Sequence, residues 1–111
     1  MLFVCYPKCS TCGKARAWLE NNGLEFTERD IKTENPTADE LREWHGKSGL
    51  PWKRFFNTSG QLYRGMGLSG KVDSMGEDEI VSLLASDGML VKRPILVTDS
   101  TVLVGFREKE D

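Results

Sequence analysis

The stretch YPKCSTCGKARAWLE, residues 6 to 20, carries Cys9 and Cys12 where a short apolar run gives way to a helical pattern. A thiolate is both a nucleophile and a metal ligand, so a close pair of thiols raises two chemistries, disulfide exchange and metal binding. The position favours the first. Backbone N–H groups at the start of a helix have no intrahelical acceptor, and with the positive end of the helix dipole they stabilise a thiolate. Lys8 and Lys14 add positive charge beside the pair. Cys9, just after the apolar run, is expected to be the more exposed and more reactive thiol. Cys12 falls on the same helical side, within reach of a mixed disulfide formed at Cys9, and is the candidate resolving thiol. Lys8, Ser10 and Thr11, around and between the cysteines, are candidate substrate-binding residues.

Other uses of these side chains stay open. Cys5, Cys9, Cys12 and the lone His45 nominally supply four zinc ligands, and a C-x-x-C pair also arises by chance. Cys5, however, lies mid-strand among apolar residues, where a cysteine behaves as a small hydrophobe, and nothing in the sequence holds His45 near the others. No metal or cofactor is assigned. His45 reads as a solvated helix residue, and Trp18, Trp44 and Trp52 read as packing.

The chain has 111 residues, the length of about one domain, and residues 1–111 are read as one domain with a helical insertion at about 37–76. Its formal net charge of −2, from 15 basic and 17 acidic residues, does not favour direct nucleic-acid binding. The N-terminus MLFVCYPKC lacks the features of a signal peptide, and no apolar run approaches the roughly 18 residues of a membrane span. A cytoplasmic monomer without a membrane partner is the expectation. In a reducing compartment a close cysteine pair points to redox or metal chemistry sooner than to a structural disulfide.

The elements that must position these thiols follow from periodicity and punctuation. LFVCY is a buried strand over 2–6, stopped by Pro7. Ala15, Trp18 and Leu19 mark a helix that begins at Ser10 or Thr11 and stops at NNG. LEFTERDI reads as a half-buried strand, which completes a βαβ unit by about residue 31. Thr37 and Glu40 form a capping box ahead of a second helix carrying Leu41 and Trp44. Between Leu50 and Met75 the glycine-rich chain suits one-turn or two-turn helices. GEDEIVSLLASDG is a further helix with acidic residues in its first turn and Gly88 at its end. Two strands, 95–98 and 101–104, flank a turn at Asp99 and Ser100. This order implies an α/β fold with a sheet of mixed direction.

A C-x-x-C pair after the first strand, with a proline opening a downstream hairpin, resembles the thioredoxin and glutaredoxin fold. More specifically, YPKCSTCGKARAWLENNG, FFNTSGQLYR, LLASDGMLVKRPILV and VLVGF are similar to the arsenate reductase and Spx family over essentially the whole chain. The resemblance implies Cys9 as nucleophile and makes Pro94 a cis-proline opposite the thiol, where its missing N–H leaves the preceding backbone free to pair with a bound thiol substrate. It also sets Arg93 over Cys9, where a guanidinium holds an oxyanion or favours the thiolate. Glutaredoxin-dependent arsenate reductases carry a histidine four positions before a single active-site cysteine, and three arginines around the oxyanion. Here the histidine position reads Cys5, a second cysteine stands at Cys12, the first arginine position reads Asn57, and the third falls at Phe106 or Arg107. Two activities are implied. One is a thiol–disulfide oxidoreductase working on a disulfide or oxyanion, with glutathione, glutaredoxin or thioredoxin as thiol reductant. The other is an Spx-like redox-sensing regulator that binds the C-terminal domain of the RNA polymerase α subunit.

Overall fold

The structure, a computed structural model, describes residues 1–106. Four strands, β1 (Leu2–Cys5), β2 (Thr27–Asp30), β3 (Ile95–Val97) and β4 (Val102–Val104), form one sheet in the order β2-β1-β3-β4. β1 runs parallel to β2 and antiparallel to β3, and β3 pairs antiparallel with β4, so the mixed sheet expected from the sequence is present. Around it pack α1 (Ser10–Asn21), α2 (Ala38–Ser48), α3 (Gln61–Gly65) and α4 (Glu77–Ser86). Short 3₁₀ turns at Trp52–Phe55, Leu68–Gly70 and Val72–Ser74 fill the glycine-rich middle.

The two-residue period of β1 divides the interior. Phe3 and Cys5 face α1 and join Cys12, Ala15 and Leu19 in one cluster, whereas Val4 faces the opposite way and joins Ile31, Leu41, Trp44, Leu84 and Ile95. β1 is central and wholly covered beyond Leu2, which is why it reads as a continuous apolar run. α2 starts as the sequence specifies: the Glu40 N–H donates to Thr37 Oγ1 at 3.1 Å, and the Thr37 N–H donates to Glu40 Oε1 at 3.0 Å. The same carboxylate receives Arg29 from β2 at 2.6 and 2.8 Å, tying the sheet edge to α2.

Three local expectations change. The second strand begins at Thr27, and Leu24 is exposed, because the Leu24 N–H returns to the Leu19 carbonyl and the Gly23 N–H to that of Glu20. With Gly23 at φ +66° this is a Schellman closure of α1, and it uses up residues that alternation had assigned to a strand. His45 is half-buried, its ring stacked on Trp52 at 3.9 Å, so it is less solvated than a surface helix residue. Gly88 does not end α4. The helix stops at Ser86, Asp87 is extended, and Gly88 is buried with its Cα against β2's outgoing chain. A Cβ at Gly88 would sit 1.7 Å from the Ile31 carbonyl oxygen.

No helix among the described residues is long and apolar enough to cross a membrane. The close approach at Gly88 generates a stability prediction. Gly88→Ala should cost about 3 kcal/mol or more, the upper end of overpacking penalties. Thr37→Ala, which loses only the cap, should cost about 1 kcal/mol. Urea unfolding midpoints rank the two, and a wild-type midpoint for Gly88→Ala would mean that the turn moves aside at little cost.

Candidate functional site

β1 ends at Cys5, and the chain must turn sharply to start α1 at Ser10. The Cys9 N–H donates to the Tyr6 carbonyl at 2.9 Å, closing that turn around Pro7 and Lys8. The Tyr6 N–H donates to Cys12 Sγ at 3.3 Å, so one residue's backbone holds both cysteines. Cys9 is the N-cap residue, with extended φ −84° and ψ 124°, and its carbonyl accepts the first helical bond from Gly13. Both thiols are free.

Their environments differ sharply. Cys9 is half-buried and lines an open cleft of ≈ 700 Å³, whereas Cys12 is fully buried. Burial pushes the Cys9 thiol up, but it is outweighed by the Cys12 N–H and thiol, the Thr11 N–H and the Arg93 guanidinium, so the net shift is downward. Neither N–H makes a formal cap hydrogen bond to the resting side chain; they lie near enough to favour the anion. Cys12 goes the other way. Burial, against the opposing Tyr6 N–H, pushes it up to about 12, helped by the negative charge that Cys9 acquires. Cys5 is also buried and pushed up to about 11, by desolvation and by Glu28 against the opposing Arg16. Arg16 Nη2 donates to Cys5 Sγ at 3.5 Å while its Nε and Nη2 grip Glu28 at 2.6 and 2.9 Å. A protonated thiol under an ion pair is a core group, and it lies outside the cleft lining.

Arg93 sits just before Pro94, and the peptide bond between them is cis. Its guanidinium lies over the Tyr6 ring at 5.3 Å, and Nη1 is buried with no hydrogen-bond partner among the described residues. A buried donor without a partner is costly, and an anion in the cleft beside Cys9 would satisfy it. Cys9, Thr11 and Arg93 are therefore brought to one cleft. Lys8 and Ser10 are exposed and outside its lining, and Pro94 is buried against a smaller apolar pocket with Phe3, Trp18 and Leu96. The sequence reading missed Arg54, Ser59, Gln61 and Lys92, which complete the cleft. For Arg54, Ser59 and Gln61 only the glycine-rich composition around them hinted at a loop able to line a site, and for Lys92 only its place beside Arg93 did. Asn57 and Phe106 are in the lining too, while Arg107, the other option for the third arginine position, lies outside the described residues. His45, stacked on Trp52, is not gathered with the cysteines, and among the described residues no group of three or more His, Cys, Asp or Glu side chains is placed to hold a metal.

A four-stranded mixed sheet, a dithiol at the N-terminus of the first helix and a cis-proline at the head of the hairpin define a thioredoxin-like fold. The ArsC family model matches residues 5–110, and the chain belongs to the ArsC family. An ArsC family related protein from Bacteroides fragilis superposes with a TM-score of 0.95 at 53% identity, over 98% of this chain and 92% of that one. A candidate arsenate reductase from Streptococcus mutans does so with a TM-score of 0.89 at 48% identity, over 96% and 90% of the two chains. The chain is also similar to the uncharacterized protein YusI of Bacillus subtilis, 49% identical over 99% of this chain and 93% of YusI. It shares 29% identity with the global transcriptional regulator Spx of Staphylococcus epidermidis, over 94% of this chain and 78% of Spx.

The Arg93 geometry predicts a measurable titration. Arg93→Ala should move the Cys9 thiol up toward the ordinary value of about 8.5, each tenfold change in thiolate population corresponding to about 1.4 kcal/mol. Arg93→Lys keeps the charge but not the planar fork, and should recover part of the effect. The pH dependence of Cys9 alkylation reads this directly. An unchanged midpoint in Arg93→Ala would remove Arg93 from the thiol's surroundings.

Proposed function

We propose that this ArsC-family protein is a thiol–disulfide oxidoreductase in which Cys9 is the nucleophile, Cys12 the resolving thiol and Arg93 the cation that favours the Cys9 thiolate or holds a developing anion. One observation carries the reading: of two neighbouring thiols, the one open to the cleft is shifted toward the thiolate and the one sealed beneath it is held as a thiol. That is the division of labour the chemistry needs. The Cys9 thiolate attacks one sulfur of a substrate disulfide, forming a Cys9 mixed disulfide and releasing the other half as a thiolate. Cys12 then loses its proton and attacks Cys9 Sγ, which expels the second thiol and leaves a Cys9–Cys12 disulfide. The substrate gains two electrons and two protons, and the protein loses them. An external thiol reductant, such as glutathione, glutaredoxin or thioredoxin, restores the dithiol. Thr11 contributes its N–H toward Cys9 from inside the cleft. Lys8 and Ser10, exposed on either side of Cys9 in the chain, and Pro94, which follows Arg93, act as flanking contacts for the incoming thiol.

A second reading is supported by the likeness to Spx: the same pair acts as a redox switch that changes binding to the RNA polymerase α subunit. Catalytic turnover separates the two. The enzyme should cycle through many equivalents of disulfide when a thiol reductant is supplied, while a sensor needs only one oxidation event.

Trapping tests the assigned order. Wild-type protein treated with a small disulfide should yield the Cys9–Cys12 bridge with Cys5 reduced, whereas Cys12→Ser should accumulate a mixed disulfide on Cys9 and lose turnover by at least about a hundredfold. Mass mapping after acid quench identifies the bonded cysteines. A dominant bridge containing Cys5, or full turnover without Cys12, would overturn the assignment.

A further inference from the structure

The cleft in front of Cys9 is much larger than the thiol chemistry alone requires, and it is one-sided in charge. Its charged lining residues are Arg54, Lys92 and Arg93, with no Asp or Glu among the described residues, in a chain whose acidic residues outnumber its basic ones. Asn57, Ser59 and Gln61 supply neutral polar groups. A volume of ≈ 700 Å³ is that of a small-molecule site and leaves most of its space empty around a single four-oxygen anion.

The backbone explains how the cations come together. The Lys92 N–H donates to the Phe55 carbonyl at 2.8 Å, the Asn57 N–H donates to the Leu90 carbonyl at 2.8 Å, and Phe56 and Val91 form an antiparallel bridge between them. This short ladder sets Arg54 and Lys92 on adjoining segments. The Lys92 stem passes beside Gly105, where φ is +83° and favours glycine, and where a Cβ would make only ordinary contact with Cε at 3.4 Å. Neither Arg54 nor Lys92 has a carboxylate partner among the described residues, although the neighbouring Lys53 is paired with Asp73 at 3.9 Å. Asn57 cannot add charge, and its Oδ1 is already engaged by the Ser59 hydroxyl at 3.3 Å. Gathering like charges without a partner costs energy that a bound anion returns.

We propose that Arg54 and Lys92 form a second anion subsite of the Cys9 cleft, distinct from Arg93, which selects small disulfides carrying carboxylates beside the sulfur. The inference rests on the thiol–disulfide reading above and names its substrate class: an acidic low-molecular-weight thiol, whose sulfur meets Cys9 while its carboxylate meets Arg54 and Lys92. Arg93 serves the sulfur end. The subsite raises the rate of mixed-disulfide formation by orienting the anionic half and releases that half as an acidic thiol. No bond other than those of the exchange is made or broken.

Two chromogenic aromatic disulfides make the test: dithiobis(nitrobenzoate), with one carboxylate on each half, and the neutral dithiodipyridine. Second-order rates with Cys9 are measured in a Cys5→Ser, Cys12→Ser background and divided by those of a free reference thiol. The ratio of anionic to neutral rates should fall about tenfold in the Arg54→Gln, Lys92→Gln double variant, a loss comparable with one close charge contact. The same ratio should fall with added salt in the parent and hardly change in the variant. Arg54→Glu with Lys92→Glu should reverse the preference in favour of the dicationic disulfide cystamine. A parallel fall for both probes would trace the effect to Cys9 ionisation, and an unchanged ratio would give the cations no part in selection; either result overturns the subsite while the thiol–disulfide reading stands. Failure of Cys9 to react with either probe in the parent would overturn both.

Discussion

One backbone unit fixes the geometry of the two cysteines. Tyr6 accepts the Cys9 N–H through its carbonyl and donates its own N–H to Cys12 Sγ, so the residue that leaves the central strand grips both ends of the C-x-x-C motif. A hydrogen bond to a buried acceptor is costly to lose, and the strand behind Tyr6 is covered on both faces. The thiols therefore inherit the rigidity of β1. The Tyr6 ring extends the same hold outward, because the Arg93 guanidinium lies over it. Strand, helix start and the Arg93–Pro94 segment meet at this one residue.

From that junction the asymmetry of the two cysteines follows without further devices. Cys12 is carried by the first turn of α1 into the cluster of Phe3, Cys5, Ala15 and Leu19, where a charge is poorly solvated. Cys9 precedes the helix, so it meets the outward-facing N–H groups and the cleft. Three residues of spacing at a strand-to-helix corner are enough to bury one thiol and shift the other toward the thiolate. Cys5, buried in the same cluster beneath the Arg16–Glu28 pair, is a third thiol that burial keeps protonated.

Much of this was legible in the sequence, and the misses have physical causes. The apolar run at 2–6, the Thr37–Glu40 box and the C-x-x-C before a helical stripe are local signals, each decided by neighbours within a few residues, and each appears in the structure with boundaries shifted by about one position. Leu24 misled because an alternation pattern cannot report that the preceding helix will close through its N–H. Gly88 misled for a related reason: a glycine after a helix usually ends it, and only the approach of Ile31, far away in sequence, reveals the steric demand. The cleft itself was the least legible part. Cys9 and Arg93 could be named from motif and resemblance, but Arg54 and Lys92 join the site through the Phe55–Lys92 and Phe56–Val91 pairings, which are non-local and leave no periodic trace.

The coupling between the two thiols also gives the proposed exchange its direction. Cys12 is raised first by burial, against the Tyr6 N–H, but a further share comes from the negative charge of Cys9 beside it. That share exists only while Cys9 is a thiolate. Formation of a mixed disulfide at Cys9 removes the charge, and with it one of the causes that hold Cys12 protonated, so Cys12 becomes easier to ionise at the moment its attack is required. Burial still opposes ionisation, so in the proposed exchange the proton would leave late, as the departing half of the substrate takes up the electron pair. Before substrate arrives the same coupling works the other way: the Cys12 thiol and N–H favour the Cys9 thiolate, and Cys12 stays neutral. In the proposed exchange, a dithiol arranged in this way favours Cys9 as the first nucleophile and supplies the second only after the first has reacted.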